Sequence, residues 1–184
     1  MGFGKFGAQG VHGATALAIA LDRRAFAGDR WKTPEEKLRR ALIYLTRSAA
    51  GYQAMEDAGI TADARTLNAW LSQTRNPNRD RQARLETAYQ TQRRRNIAPA
   101  LTRQLNANGG TRIEIHPVDQ TEVEVHHRRV APWRRKNIYR WNTIVAAWSV
   151  GDQMRLAAAW EHTICDLDSD WRKYEYVSHI GMPF

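Results

Sequence analysis

The sequence predicts a mainly α protein with one small β-hairpin, an α+β fold. Three observations predict it: apolar residues recur at helical spacing from Leu38 to Leu105, the period switches to two between Ile113 and Val125, and helical spacing returns from Ile138 to Ile164. At 184 residues with 42% hydrophobic content, the chain is long enough for one fair-sized folded domain or two small ones.

The opening MGFGKFGAQGVHGATALAIALDRR has scattered glycines and an apolar core of about eight residues ahead of Asp22-Arg23-Arg24, short for a signal peptide and far short of the ~18 apolar residues a membrane span needs. It reads as a flexible arm and a short helix over residues 1–32. Thr33-Pro34-Glu35-Glu36 then combines a capping hydroxyl, a proline at the first helical position and a glutamate three residues after the threonine. A helix begins there and runs to about Ser48, with Leu38, Leu42 and Leu45 on its inner face.

The next stretch, GYQAMEDAGITADARTLNAWL, reads as two short helices meeting at a glycine. Ala54, Met55 and Ala58 form a small apolar face closed by Gly59, and Asp63 caps a second helix whose inner side is Leu67, Trp70 and Leu71. After a polar loop marked by Asn76-Pro77, an arginine-rich helix starts near residue 79, and Pro99 should break or kink it close to Ala98. Asn106 to Gly110 is a stop signal. It separates a unit of residues 33–107 from one of residues 108–184.

In the second unit Ile113 and Ile115, then Val123 and Val125, alternate with polar residues on either side of Pro117-Val118-Asp119-Gln120, which predicts a hairpin. Ile138, Trp141, Ile144, Val145 and Trp148 line one following helix, and Leu156, Trp160 and Ile164 line the next. The aromatic end WRKYEYVSHIGMPF is suited to a further strand.

Charge narrows the function. Lys and Arg number 28 against 19 Asp and Glu, a net +9 that favours a polyanionic partner. Arg75 to Arg103 holds eight arginines against Asp80 and Glu86, and Arg128 to Arg140 holds five arginines and Lys136 with no acid, so each run nets +6. Runs this one-sided suit phosphate contact. A single cysteine, Cys165, excludes an internal disulfide and fits a reduced, cytoplasmic setting.

Residues 51–71 have the signature of a DNA-reading helix-turn-helix: small residues where the helices touch, glycine in the turn, and apolar positions on the second helix. With Asp63 as cap, Ala64, Arg65, Asn68 and Ser72 point outward; Arg65 suits guanine and Asn68 adenine. The turn is two residues longer than the motif expects. Arg75, Arg79, Arg81, Arg93, Arg94 and Arg95, with Arg134, Arg135 and Lys136 from the second run, are the candidate phosphate contacts.

Enzyme signatures are missing from the sequence: no glycine-rich phosphate loop and no Ser-His-Asp or Cys-His grouping stands out. His126 and His127 are adjacent, so on a strand they face opposite ways, and neither a metal site nor a cofactor is expected. Glu114, Asp119, Glu122 and Glu124 read as the solvent face of the hairpin. Thr121, at the end of the loop PVDQT, offers a hydroxyl beside carboxylates and basic flanks; turns also collect threonine for ordinary hydrogen bonding.

Over residues 34–165, and most clearly from Met55 to Arg95, this order of parts resembles the telomere terminal proteins of Streptomyces-type linear replicons, the Tpg type: a basic helix, a helix-turn-helix, a segment RNPNRDRQARLETAYQTQRRRN, a glycine-bounded hairpin and a helix pair. The resemblance implies a DNA-binding protein, not an enzyme, that is associated with the nucleoid of an actinobacterium. It implies binding to double-stranded or 3′-overhang telomeric DNA, covalent attachment to the 5′ end, and a side-chain hydroxyl that primes end-patching synthesis. Partners implied are a telomere-associated protein and a DNA polymerase. By the same resemblance the priming residue is Thr121, with Thr111 and then Tyr139 behind it. The main alternative is a helix-turn-helix transcriptional regulator of a plasmid or phage, with Trp141, Trp148 and Trp160 as a homodimer interface; an RNA-binding protein and a metal-dependent nuclease are further alternatives.

Overall fold

The computed structural model describes residues 6–28, 33–167 and 173–183. Its contacts divide the chain into two compact units, residues 28–97 and residues 1–27 with 98–184. The split differs from the sequence expectation in two ways: the N-terminal segment belongs with the C-terminal half, and the boundary falls at Ile97/Ala98 rather than at Ala107.

The unit of residues 28–97 holds three helices and most of a fourth, α2 (Pro34–Leu45), α3 (Ala49–Asp57), α4 (Ala64–Leu71) and the first turns of α5 (Arg79–Asn106). Side chains set each start. Thr33 Oγ1 accepts from Glu36 N–H at 3.1 Å, Ser48 Oγ from Gly51 N–H at 3.1 Å, Asp63 Oδ1 from Thr66 N–H at 2.7 Å and Asn78 Oδ1 from Arg81 N–H at 2.9 Å. Ser48 therefore opens α3 instead of closing α2. Gly59, at φ +73°, turns the chain out of α3, a conformation that side chains resist.

The extra length of the following turn has a structural use: Ile60 is buried in the core with Ala41, Leu42, Leu45, Ala54, Met55, Leu67, Trp70, Leu85, Ala88 and Tyr89. Burial of side chains this size is worth roughly 1.5–3 kcal/mol each, which offsets the ordering of two more turn residues at about 1–2 kcal/mol apiece.

Helix α5 runs on through Pro99 to Asn106, so the predicted break does not occur. Proline removes one donor and crowds the preceding turn, yet the remaining ladder continues on both sides. The unit boundary falls two residues before it.

The other unit is a four-stranded antiparallel sheet with helices α1 (Gly13–Ala25), α6 (Asn142–Val150) and α7 (Gln153–Ile164). Strand order is β1 (Val11–His12), β4 (Tyr176–Gly181), β2 (Thr111–Pro117), β3 (Arg134–Ile138). The expectation of a loose arm is corrected for residues 6–12: Val11 pairs with Val177, and Gln9 and Asp119 exchange two backbone hydrogen bonds of 2.9 Å. Residues 1–5 and 29–32 lie outside the described residues.

The predicted hairpin is also corrected. β2 pairs with β3, Ile113 opposite Lys136 and Ile115 opposite Arg134, while residues 118–133 form a long connection. Val123 is buried but Val125 is 78% exposed, so the two never share a strand face; residues 125–127 form one 3-10 turn. The aromatic C-terminal stretch does supply a strand, β4, with Ile180 opposite Ile115 and His179 opposite His116.

Core of this unit comprises Ile113, Ile115, Val177 and Ile180 from the sheet, Leu17 and Leu21 from α1, and Trp141, Trp148, Trp160 and Tyr174. α1 packs on β4 and α7, and α6 on α7. The approach of α1 to α7 is close: a Cβ on Gly13 would stand 2.1 Å from the Trp160 indole. Ile138, expected to start a helix, ends β3, and α6 begins four residues later. Among the described residues, no helix is long and apolar enough to cross a membrane.

Candidate nucleic-acid interface

Helix α4 is amphipathic within only two turns. Leu67 and Trp70 are buried, while Ala64, Arg65, Asn68 and Ser72 are exposed, the last three at i, i+3 and i+7 and so on one stripe. Arg65 and Asn68 project donors from that stripe. Ser72 uses its hydroxyl locally, donating to the Asn68 carbonyl at 2.8 Å, and so closes the helix. Asp63 holds the N-terminus; the hydrogen bonds from Thr66 keep its carboxyl below the usual carboxylate range.

The arginines of the first basic run divide by environment. Arg75, Arg79 and Arg95 are exposed and have no carboxylate partner among the described residues. Arg81 lies 5.8 Å above the Trp70 ring, tying the start of α5 to α4. Arg93 is half-buried, donates to the Tyr89 hydroxyl at 2.6 Å and sits over that ring, which makes it part of the packing of α5. Arg94 is half-buried as well. Arg79 and Arg81 stand about 20 Å along the helix axis from Arg93 to Arg95, at 1.5 Å per residue, so the run is two separate basic positions.

In the sheet-containing unit the second basic run is partly neutralised. Arg135 Nε pairs with Glu114 Oε1 at 3.0 Å and its guanidinium lies 4.8 Å from the Trp133 ring, while Lys136 Nζ binds the Asp166 carboxylate. Arg134 is half-buried on the same strand. Trp141, Trp148 and Trp160 are at most 1% exposed, so the dimer surface expected of them is instead the core of one protomer.

Thr121 is exposed on the 118–133 connection, which has its own internal fastening. Val123 is buried beneath it. The Arg128 guanidinium donates to the carbonyls of Val123 at 2.8 Å and Thr121 at 3.0 Å. Gln120 makes both of its amide bonds to the Arg129 backbone, at 2.9 and 2.7 Å. The Thr121 hydroxyl donates to Asp119 Oδ1 at 2.5 Å, and the Thr121 N–H donates to the same oxygen at 2.9 Å.

These bonds, the hydroxyl's first, hold the Asp119 carboxyl below its ordinary range. A carboxylate accepting from a hydroxyl is the arrangement that lets a base take the proton as the oxygen attacks an electrophile. The two bonds also make an Asx-type turn.

One cluster escaped the sequence reading, and a second was considered there and set aside. His116 and His179 stack at 4.0 Å between ring centroids, and Trp133 lies parallel to His116 at 6.4 Å. Glu124, His126 and His127 converge on the 3-10 turn. The first brings together residues 63 positions apart in the chain, and the second was misread because a strand was assumed there. Comparison of the chain with protein-family models, with curated proteins and with solved structures finds no match.

Proposed function

We propose that this chain is a DNA-binding terminal protein of the telomere type, which reads duplex DNA with α4 and supplies the Thr121 hydroxyl as primer for synthesis at the end of a linear replicon. The observation that carries the reading is the exposed Thr121 hydroxyl, hydrogen-bonded at 2.5 Å to a carboxylate on a fastened connection. Helix α4, capped by Asp63 with Arg65 and Asn68 outward, supports the DNA-reading half, although the turn before it is two residues longer than the motif expects.

In the priming step Thr121 Oγ1 attacks the α-phosphorus of a deoxynucleoside triphosphate. A phosphoester bond forms, the α–β phosphoanhydride bond breaks, pyrophosphate leaves, and the hydroxyl proton passes to Asp119. The partner polymerase supplies the divalent ions that neutralise the phosphates. The DNA partner is a telomeric duplex or 3′ overhang, and a telomere-associated protein recruits the chain to it.

Mass spectrometry of the native protein, isolated from its host and digested exhaustively with nuclease, tests this. The expected result is a nucleotide remaining on Thr121 in the peptide spanning residues 113–128. A nucleotide elsewhere keeps the role and moves the site; no modified species in any peptide overturns the role and leaves a helix-turn-helix regulator.

A further inference from the structure

The 3-10 turn of residues 125–127 places three metal-binding groups side by side. Glu124 stands at the N-terminal edge of that turn, and its side chain meets those of His126 and His127 there. Donor atoms of the three side chains all lie within 4.8 Å of one another, and His126 Nε2 is 3.3 Å from Glu124 Oε2. Bonds of about 2.0–2.1 Å to a tetrahedral ion set its ligand atoms roughly 3.3 Å apart. The Glu124–His126 pair is already at that spacing, and the His127 donor lies within 4.8 Å of both.

The two imidazoles are also close, with ring centroids 4.0 Å apart and planes tilted by 49°. Phe6 stacks on His127 at 4.1 Å, buttressing the ring from the N-terminal segment. Arg128, the next residue, is anchored to the carbonyls of Val123 and Thr121, which fixes the backbone carrying the three groups. Preorganisation of this sort lowers the ordering cost of binding.

We propose that Glu124, His126 and His127 bind a divalent transition-metal ion of the zinc type. Two imidazoles and one carboxylate suit zinc, cobalt or nickel, whereas magnesium and calcium prefer all-oxygen sets. Three protein ligands leave a fourth position open to water or another oxygen donor. The site does not depend on the DNA-binding reading, and its test uses no nucleic acid.

The experiment is a Co2+ titration of the full chain followed by visible absorption, with Zn2+ competition. The expected result is one ion bound per chain in a four-coordinate environment, displaced by Zn2+ and lost as pH is lowered, because the ligating nitrogens must be unprotonated. His126→Ala and Glu124→Gln each weaken binding about tenfold or more, and because both side chains are exposed, the circular dichroism of the variants is unchanged. His179→Ala, in the other histidine cluster, leaves binding intact. Absence of a saturable site, affinity unaltered in His126→Ala and Glu124→Gln, or loss on His179→Ala instead would each overturn the proposal.

Discussion

Asp119 Oδ1 accepts two hydrogen bonds from Thr121, one from its backbone N–H at 2.9 Å and one from its hydroxyl at 2.5 Å. The first shapes the turn and the second polarises the hydroxyl, so substitutions separate the two. Asp119→Asn keeps an acceptor for the backbone bond but is a far weaker base. On the proposed priming role, nucleotide attachment should fall about tenfold or more in Asp119→Asn, vanish in Thr121→Val and survive in Thr121→Ser. Mass spectrometry of the attached species measures this. The depressed Asp119 carboxyl contributes stability that is present above its unfolded value near 3.8 and is lost as pH falls through the lower folded value, so the turn holds across neutral and mildly acidic pH.

The proposed DNA binding gives a second set of outcomes. Arg65→Ala and Asn68→Ala should each cost about 1–3 kcal/mol on the preferred sequence and little on others, whereas Arg79→Ala and Arg95→Ala should weaken binding to every sequence and lower the salt slope by about one. Fluorescence anisotropy at several salt concentrations distinguishes the two classes. Arg93→Ala belongs to neither, because its guanidinium bonds the Tyr89 hydroxyl within the unit; thermal melting should fall before affinity does. Equal losses from α4 and α5 variants on all sequences would show that α4 is not the reading helix.

His179 yields a pH prediction. Although the residue is exposed, partial desolvation first, then the neighbouring His116 and Arg23, pull its pKa below 6.5. Glu114 Oε2, 3.9 Å from His116 Nε2, and the Ser178 hydroxyl, 3.1 Å from His179 Nδ1, complete the polar surroundings. The folded protein therefore binds fewer protons than the unfolded chain just below pH 6.5, so stability declines as pH falls from that value and levels off beneath the folded pKa. Melting curves from pH 7.5 to 5 should show the decline, and His179→Gln should flatten it. An identical slope in the variant would remove His179 as its origin.

Two buried tryptophans differ in their hydrogen bonding. Trp160 Nε1 donates to the Tyr174 carbonyl at 3.0 Å, while Trp141 Nε1 is buried with no partner among the described residues. Trp160→Phe leaves that carbonyl unsatisfied and should cost about 1–3 kcal/mol beyond the loss of packing; Trp141→Phe removes an unpaired donor and should cost less. Denaturant unfolding of the two variants compares them directly, and a larger loss from Trp141→Phe would contradict this account.

The helical unit was legible because its signals are local. Thr33 and Asp63 announce their helices within three residues, and Leu67 and Trp70 show one face of α4. Two strands of the sheet, β2 and β4, were legible, but their pairings were hidden because they are distant. β3 reads Arg-Arg-Lys-Asn-Ile with only Ile138 buried, so no apolar alternation marks it, and Val123, buried outside any strand, supplied a false partner for β2. Thr121 lies exposed on the 118–133 connection rather than in a short hairpin loop, and its bond to Asp119 depends on backbone geometry that spacing does not encode. The convergence of Glu124, His126 and His127 was concealed by the assumed strand, whose two-residue period sends adjacent side chains apart.

Pairing of β1 and β2 with β4 has a consequence for biosynthesis. The ribosome delivers α2, α3 and α4 long before residues 176–181, so the helical unit can close while the nascent chain is still growing. The sheet cannot, because its central strand arrives last and must slot between two waiting edges. A transcript cut short ahead of Tyr176 would therefore yield a finished helical half and an open-edged remnant exposed to aggregation and proteolysis.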